Sequence, residues 1–185
     1  MILQLLEYNK ILTLIIAEFK GSDKRLCLTL KYEVYNICGG NILRVLVLNG
    51  PNINMVGIRE KDIYGTESYD DLKQKIKKWS QDLNIEVEIF QSNSEGEIID
   101  KIQSANDDFD GIIINPGAYT HYSFAILDAI KAIQIKVIEV HISNIYKREE
   151  FRRKSVTAQG AVGVISGFSL YGYKLALDAF LYLIK

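Results

Sequence analysis

The chain has 185 residues, with 22 Lys and Arg against 23 Asp and Glu, two His, and a net charge of −1. Hydrophobic residues make up 48% and charged residues 24%, a globular composition sufficient for one domain and unlike that of a disordered chain. The near-zero charge leaves no basic footprint for nucleic acid, and no apolar run approaches the roughly 18 residues that span a bilayer.

Both cysteines, Cys27 and Cys38, fall within the first 42 residues. The rest of the chain therefore offers no disulfide framework, thiolate metal site or Cys nucleophile, and a reducing, cytoplasmic location is expected. Ile11-Leu12-Thr13-Leu14-Ile15-Ile16-Ala17 is a short apolar run. Glu7 before it and Phe19-Lys20-Gly21 after it do not fit a signal peptide. Cys38-Gly39-Gly40 can be encoded by bases that read GGAGG, a bacterial ribosome-binding sequence, and Leu43 by the alternative start codon TTG. Residues 1–42 are accordingly expected to be an extension outside the domain, with the native start at Leu43, and residues 43–185 to be the domain.

Leu43-Arg44-Val45-Leu46-Val47-Leu48 has the apolar, β-branched character of a buried parallel strand, and Asn49-Gly50-Pro51-Asn52 ends it in a turn. Residues 52–67 are polar and Gly-punctuated, a long loop. Ser68 is placed to cap a helix, with Asp70 and Asp71 in its first turn and Leu72, Ile76, Trp79 and Leu83 at helical spacing. Ile85–Phe90 alternates apolar and polar residues, as a half-covered strand near a sheet edge does. Ser94 with Glu97 three residues on predicts a capping box for a second helix. Gly111–Asn115 is a third, fully buried strand that breaks at Pro116-Gly117. Residues 122–134 read as a helix with Ile126, Leu127, Ile130 and Ile133 inward. Val137–Val140 is a fourth strand, residues 149–153 a short helical segment, Ala161–Ile165 a fifth strand, and residues 169–184 a closing helix.

Strands alternating with helices predict a parallel α/β sheet covered on both faces, with ligands bound beyond the carboxyl ends of its strands. Those ends are the loops 49–67, 92–94, 115–121 and 141–152. They carry Asn52, Arg59, Tyr64, Asn115, His121, His141, Ser143, Arg148 and Arg152, including both histidines of the chain. No G-x-x-x-x-G-K, no G-x-G-x-x-G after the first strand, no metal-ligand spacing and no G-x-S-x-G elbow accompany them. A Tyr–Arg pair, two His, two amides and basic side chains suit proton transfer on a small, anionic, hydroxylated substrate without a cofactor or metal. A binding module of the flavin or receiver type would want a Ser/Thr-rich phosphate loop or clustered acids after the first strand, where Asn-Gly-Pro-Asn stands.

Six motifs occur in order: Asn49-Gly50-Pro51-Asn52, Gly57-Ile58-Arg59-Glu60, Ile63-Tyr64-Gly65, Asn115 to His121 (Asn-Pro-Gly-Ala-Tyr-Thr-His), Glu139 to Asn144 (Glu-Val-His-Ile-Ser-Asn) and Arg148 to Arg152 (Arg-Glu-Glu-Phe-Arg). Together they resemble type II 3-dehydroquinate dehydratase over residues 43–185. The resemblance implies a flavodoxin-like three-layer sandwich with a five-stranded parallel sheet, and a homododecamer built as a tetramer of trimers. It implies reversible dehydration of 3-dehydroquinate to 3-dehydroshikimate, in the shikimate route to aromatic amino acids, by anti elimination through an enolate without metal or Schiff base. By the same resemblance Tyr64 is the base, Arg59 the cation that favours its tyrosinate, and His141 the general acid. Glu139 orients His141, and Asn52 holds a water at the enolate oxygen. Asn115, His121 and Arg152 contact substrate hydroxyls and ring. Ile142 and Ser143 hold the carboxylate, Asp128 reaches a neighbouring subunit's site, and Arg148 belongs to the lid. Lys61, where many members have Pro, and Tyr122, bulkier than usual after the His, depart from the pattern.

Overall fold

The computed structural model describes residues 42–58 and 67–184. The expectations placed on residues 1–41 and on Arg59, Lys61 and Tyr64 lie outside the described residues. Five strands, β1 (Leu43–Asn49), β2 (Ile85–Gln91), β3 (Gly111–Asn115), β4 (Lys136–His141) and β5 (Gly163–Ser166), form one all-parallel sheet in the order β2-β1-β3-β4-β5. The helices are α1 (Tyr69–Asp82), α2 (Glu95–Asp108), α3 (Phe124–Ala132) and α4 (Tyr171–Leu183).

Period two along the central strands sorts the core into two layers. Val45, Val47, Ile113, Ile138 and Val140 point to one face, where Leu72 and Ile76 of α1 and Tyr173, Ala176, Leu177 and Phe180 of α4 pack on them. Leu46, Leu48, Ile112, Ile114 and Val137 point to the other, against Ile98, Ile102 and Ala105 of α2 and Ile126, Ala129 and Ile130 of α3. Leu72 and Ile76 are fully buried, each contributing about 1.5–3 kcal/mol from transfer alone. The two edges differ from the centre as their sequences suggest: β2 alternates in burial, and Val164 of β5 is exposed.

Three of the four described helices, α1, α2 and α3, start after a capping serine, whereas α4 follows Leu170 with no side-chain cap. Ser68 accepts from the Asp71 N–H at 3.1 Å while the Asp71 carboxylate accepts from the Ser68 N–H at 2.8 Å, a complete capping box. The box expected at Ser94 is only half formed. Ser94 Oγ accepts from the Glu97 N–H, but the Glu97 carboxylate turns to Ser92 Oγ, which itself accepts from the Ser94 N–H. The helix expected over 122–134 contracts to α3, because Ser123 caps it through the Ile126 N–H and residues Gly117–His121 wind into a 3₁₀ turn. Among the described residues, no helix is long and apolar enough to cross a membrane.

The chain runs from β1 outward to β2, then back past β1 to β3. The reversal of direction at β1 and β3 leaves a crevice at the carboxyl ends of these two strands.

Candidate active site

Asn52, Asn115, His121, His141, Ile142, Ser143, Arg148 and Arg152 line one cleft in that crevice, with Ile53, Val56 and Ile145 as its apolar wall. Its floor is backbone packed on backbone. The Gly50 N–H donates to the Asn115 carbonyl at 2.7 Å, and a Cβ on Gly50 would sit 2.5 Å from the Pro116 oxygen. Gly117, at φ +59°, approaches the same way from the other side, where a Cβ would meet the Pro51 oxygen at 2.8 Å. The two motifs after β1 and β3 are therefore one interlocked turn pair. Asn52 follows in the left-handed region, which Asn tolerates, and its N–H donates to Asn93 Oδ1 at 3.0 Å.

Asn115 is buried at the end of β3 and held at both ends of its amide. Oδ1 accepts from the Gly117 N–H at 3.2 Å, and Nδ2 donates to the Tyr173 hydroxyl at 3.0 Å. That hydroxyl donates in turn to Asn49 Oδ1 at 2.6 Å. Burial pushes the Tyr173 phenol far above its ordinary pKa, so it serves as a neutral bridge and not as a base.

His141 ends β4, almost fully buried, with Nε2 2.7 Å from Glu139 Oε1. Glu139 has no exposed surface. Its carboxylate also accepts from Thr120 Oγ1 at 2.9 Å and Ser155 Oγ at 2.7 Å, and from Thr157 Oγ1 on the other oxygen. Burial acts to raise its pKa, but the bond and charge of His141, with the Thr157 and Ser155 hydroxyls, outweigh burial and hold it below the ordinary carboxylate range. An ionised carboxylate only accepts, so Nε2 carries the proton and Nδ1 is the nitrogen left for the cleft. The other histidine, His121, has Nδ1 2.8 Å from the Lys154 carbonyl, an acceptor, which leaves Nε2 for a ligand.

The basic side of the cleft is tied by Glu149. Its carboxylate accepts from Arg152 Nη1 at 2.8 Å and from Arg148 Nε at 3.4 Å, while the Arg152 guanidinium lies 4.6 Å over the Phe151 ring. Its own backbone N–H, then the two arginines, depress the Glu149 pKa to about 2.

Eight of the residues expected to contact substrate thus share one cleft, and Glu139 stands directly behind His141. Asp128 is exposed on α3 and does not line this cleft. Tyr122 lies outside it too, edge-on to Tyr119. Sequence reasoning missed Tyr173, which reads as core in an apolar helix. It also missed Thr120, Ser155 and Thr157, whose small side chains carry no periodic signal.

The sequence model of the Dehydroquinase class II family matches residues 43–181. The 3-dehydroquinate dehydratase of Clostridium acetobutylicum is 59% identical over 137 residues, covering 74% of this chain and 95% of that protein. That of Caldicellulosiruptor bescii is 62% identical over 137 residues, covering 74% and 94%. Among solved structures, type II dehydroquinase from Butyrivibrio crossotus aligns with a TM-score of 0.75 at 55% identity over 76% of this chain and 98% of that one. The Propionibacterium acnes enzyme aligns with a TM-score of 0.74 at 42% identity, over 77% and 99%.

Proposed function

Because the chain belongs to the class II dehydroquinase family, we propose that it dehydrates 3-dehydroquinate to 3-dehydroshikimate in the shikimate pathway, by anti elimination through an enolate. The observation that carries this reading is an identity of 59–62% to 3-dehydroquinate dehydratases along nearly their whole length. The cleft supports it with a donor set suited to a hydroxylated carboxylic acid.

Tyr64, as tyrosinate, removes the proton from the carbon next to the ketone. A phenol has a reference pKa of about 10, and Arg59 supplies the positive field that favours its charged form. Electrons move onto the ketone oxygen, where Asn52 holds a water against the developing charge. The enolate then expels the hydroxyl, which leaves as water on taking a proton from His141. Glu139 stabilises the imidazolium that donates it, and the 2.7 Å bond to Nε2 supports that role. Asn115, His121 and Arg152 hold the substrate's hydroxyls and ring, Ile142 and Ser143 its carboxylate, and Arg148 belongs to the lid. No cofactor takes part.

Residues 43–185 are the catalytic domain, and residues 1–42 are dispensable. The protein works in the cytoplasm as a homododecamer, a tetramer of trimers in which Asp128 reaches a neighbour's site. The exposure of Asp128 on α3, away from its own cleft, supports that placement. The test is ultraviolet absorbance. Dehydration creates a conjugated enone-carboxylate, so the full chain mixed with 3-dehydroquinate should show a rise in absorbance. A protein that bound the compound without that rise would be a binding module.

A further inference from the structure

Behind the cleft, three hydroxyls from two separate segments converge on one buried carboxylate. Thr120 comes from the 3₁₀ turn after β3, and Ser155 and Thr157 from the loop and the start of the 3₁₀ turn (Thr157–Gly160) before β5. Thr120 Oγ1 lies 2.8 Å from Ser155 Oγ and 2.9 Å from Thr157 Oγ1, and all three reach Glu139. The two segments are also stitched by the Val156 N–H, which donates to the Thr120 carbonyl at 2.7 Å, and Ser155 Oγ accepts from the Ala158 N–H at 3.0 Å.

We infer that Thr120, Ser155 and Thr157 are positioning residues: a hydroxyl cage that keeps Glu139 an acceptor, and so keeps His141 with Nε2–H turned inward and Nδ1 toward the cleft. The inference rests on the proposed role of His141 for its effect on turnover, but not for its effect on Glu139.

A carboxyl group with no exposed surface is driven toward its neutral form, and a neutral carboxyl holds a proton of its own. It would then donate as well as accept and would lose the charge that favours imidazolium. Removing cage donors destabilises the ionised carboxylate equally whether His141 is charged or neutral. The effect is therefore to move the shared proton from the imidazole to Glu139. Among the described residues, the other ionisable side chains lining the cleft with His141 are His121, Arg148 and Arg152. Among the described residues that line the cleft there is no carboxylate that could replace Glu139.

Thr157 has no exposed surface and separates two explanations. Thr157→Val keeps the volume and removes the hydroxyl, whereas Thr157→Ser keeps the hydroxyl and removes a methyl group. A cage predicts that Val is the damaging change, and simple packing predicts Ser. The readout is pH-difference infrared spectroscopy of the full chain, with the protonated-carboxyl band of Glu139 assigned by its absence in Glu139→Gln.

In Thr157→Val that band should appear at a pH about one unit higher, a tenfold change in proton affinity, and in Thr157→Ser it should stay in place. Ser155→Ala repeats the test at a less buried position should Thr157→Val fail to fold. In the Ser155→Ala, Thr157→Val double variant kcat should fall on the order of 10–100-fold at neutral pH while KM for 3-dehydroquinate is held. An unmoved Glu139 band in both hydroxyl-deleting single variants overturns the inference, as does a Thr157→Ser shift equal to that of Thr157→Val. Should the wild-type chain not dehydrate 3-dehydroquinate, the functional reading fails while the infrared titration still decides the cage.

Discussion

Replacing Tyr173 by Phe removes one oxygen from the middle of the Asn49–Tyr173–Asn115 chain. The hydroxyl makes two buried hydrogen bonds, at 2.6 and 3.0 Å, and its loss leaves the buried Asn49 Oδ1 and Asn115 Nδ2 without that partner. Buried polar groups left unpaired cost about 1–3 kcal/mol each, so with some relaxation the variant should lose about 2–4 kcal/mol. For a domain of this size that is a fall in Tm of roughly 6–13 °C. Asn115 keeps its Gly117 contact, so its amide stays tethered but is free to rotate away from a substrate hydroxyl. KM should therefore rise about tenfold, the equivalent of one neutral hydrogen bond, with a smaller change in kcat. Thermal unfolding and steady-state kinetics on the same preparation check both parts. A lowered Tm with an unchanged KM would refute the coupling between Tyr173 and substrate binding, and an unchanged Tm would refute the energetic reasoning.

Other outcomes follow from the same picture. On the proposed mechanism, Arg59→Ala should slow turnover at neutral pH and recover in part at higher pH, because the Tyr64 phenol would lose the cation proposed to favour its ionised form. Tyr64→Phe should show no such recovery, and pH–rate profiles of the two variants check this. Gly117→Ala puts a Cβ at φ +59° and 2.8 Å from the Pro51 oxygen, so it should cost about 2–4 kcal/mol in denaturant unfolding and open the floor of the cleft. Deleting residues 1–42 should leave a soluble protein with unchanged kcat and KM for 3-dehydroquinate, and loss of soluble activity would count against a dispensable extension.

Much of the architecture was legible because it rests on local patterning. The apolar runs at Val45–Leu48 and Gly111–Ile114 are buried on both faces, as central parallel strands must be, and the alternation in Ile85–Phe90 marks an edge. Ser68 with Asp71 could be read as a cap because both partners lie within one helical turn. Ser94 with Glu97 matched the same pattern, yet the carboxylate found Ser92 instead, a choice set by the tight turn after β2. The cleft residues were visible through their clustering at strand ends and through the six motifs.

What supports those residues was hidden, since it depends on contacts across the fold. Thr120 and Thr157 are 37 positions apart and meet only because the segments after β3 and before β5 lie side by side behind β4. Tyr173 and Asn49 are 124 positions apart, and a tyrosine on the apolar face of α4 gives no sign that its hydroxyl reaches a second asparagine under the site. Polar support of this kind follows from burial, where every donor and acceptor needs a partner, and burial is known only once the chain is folded.

The central claim is that His141, backed by Glu139, donates the proton that lets the hydroxyl leave after the enolate has formed. The direct measurement is His141→Ala incubated with 3-dehydroquinate in deuterium oxide, following solvent exchange at the carbon next to the ketone by NMR and dehydration by ultraviolet absorbance. The account predicts that exchange continues while dehydration is lost, since Tyr64 acts before His141. Dehydration by His141→Ala at the wild-type rate, or loss of exchange and dehydration in equal measure from a folded protein, would contradict it.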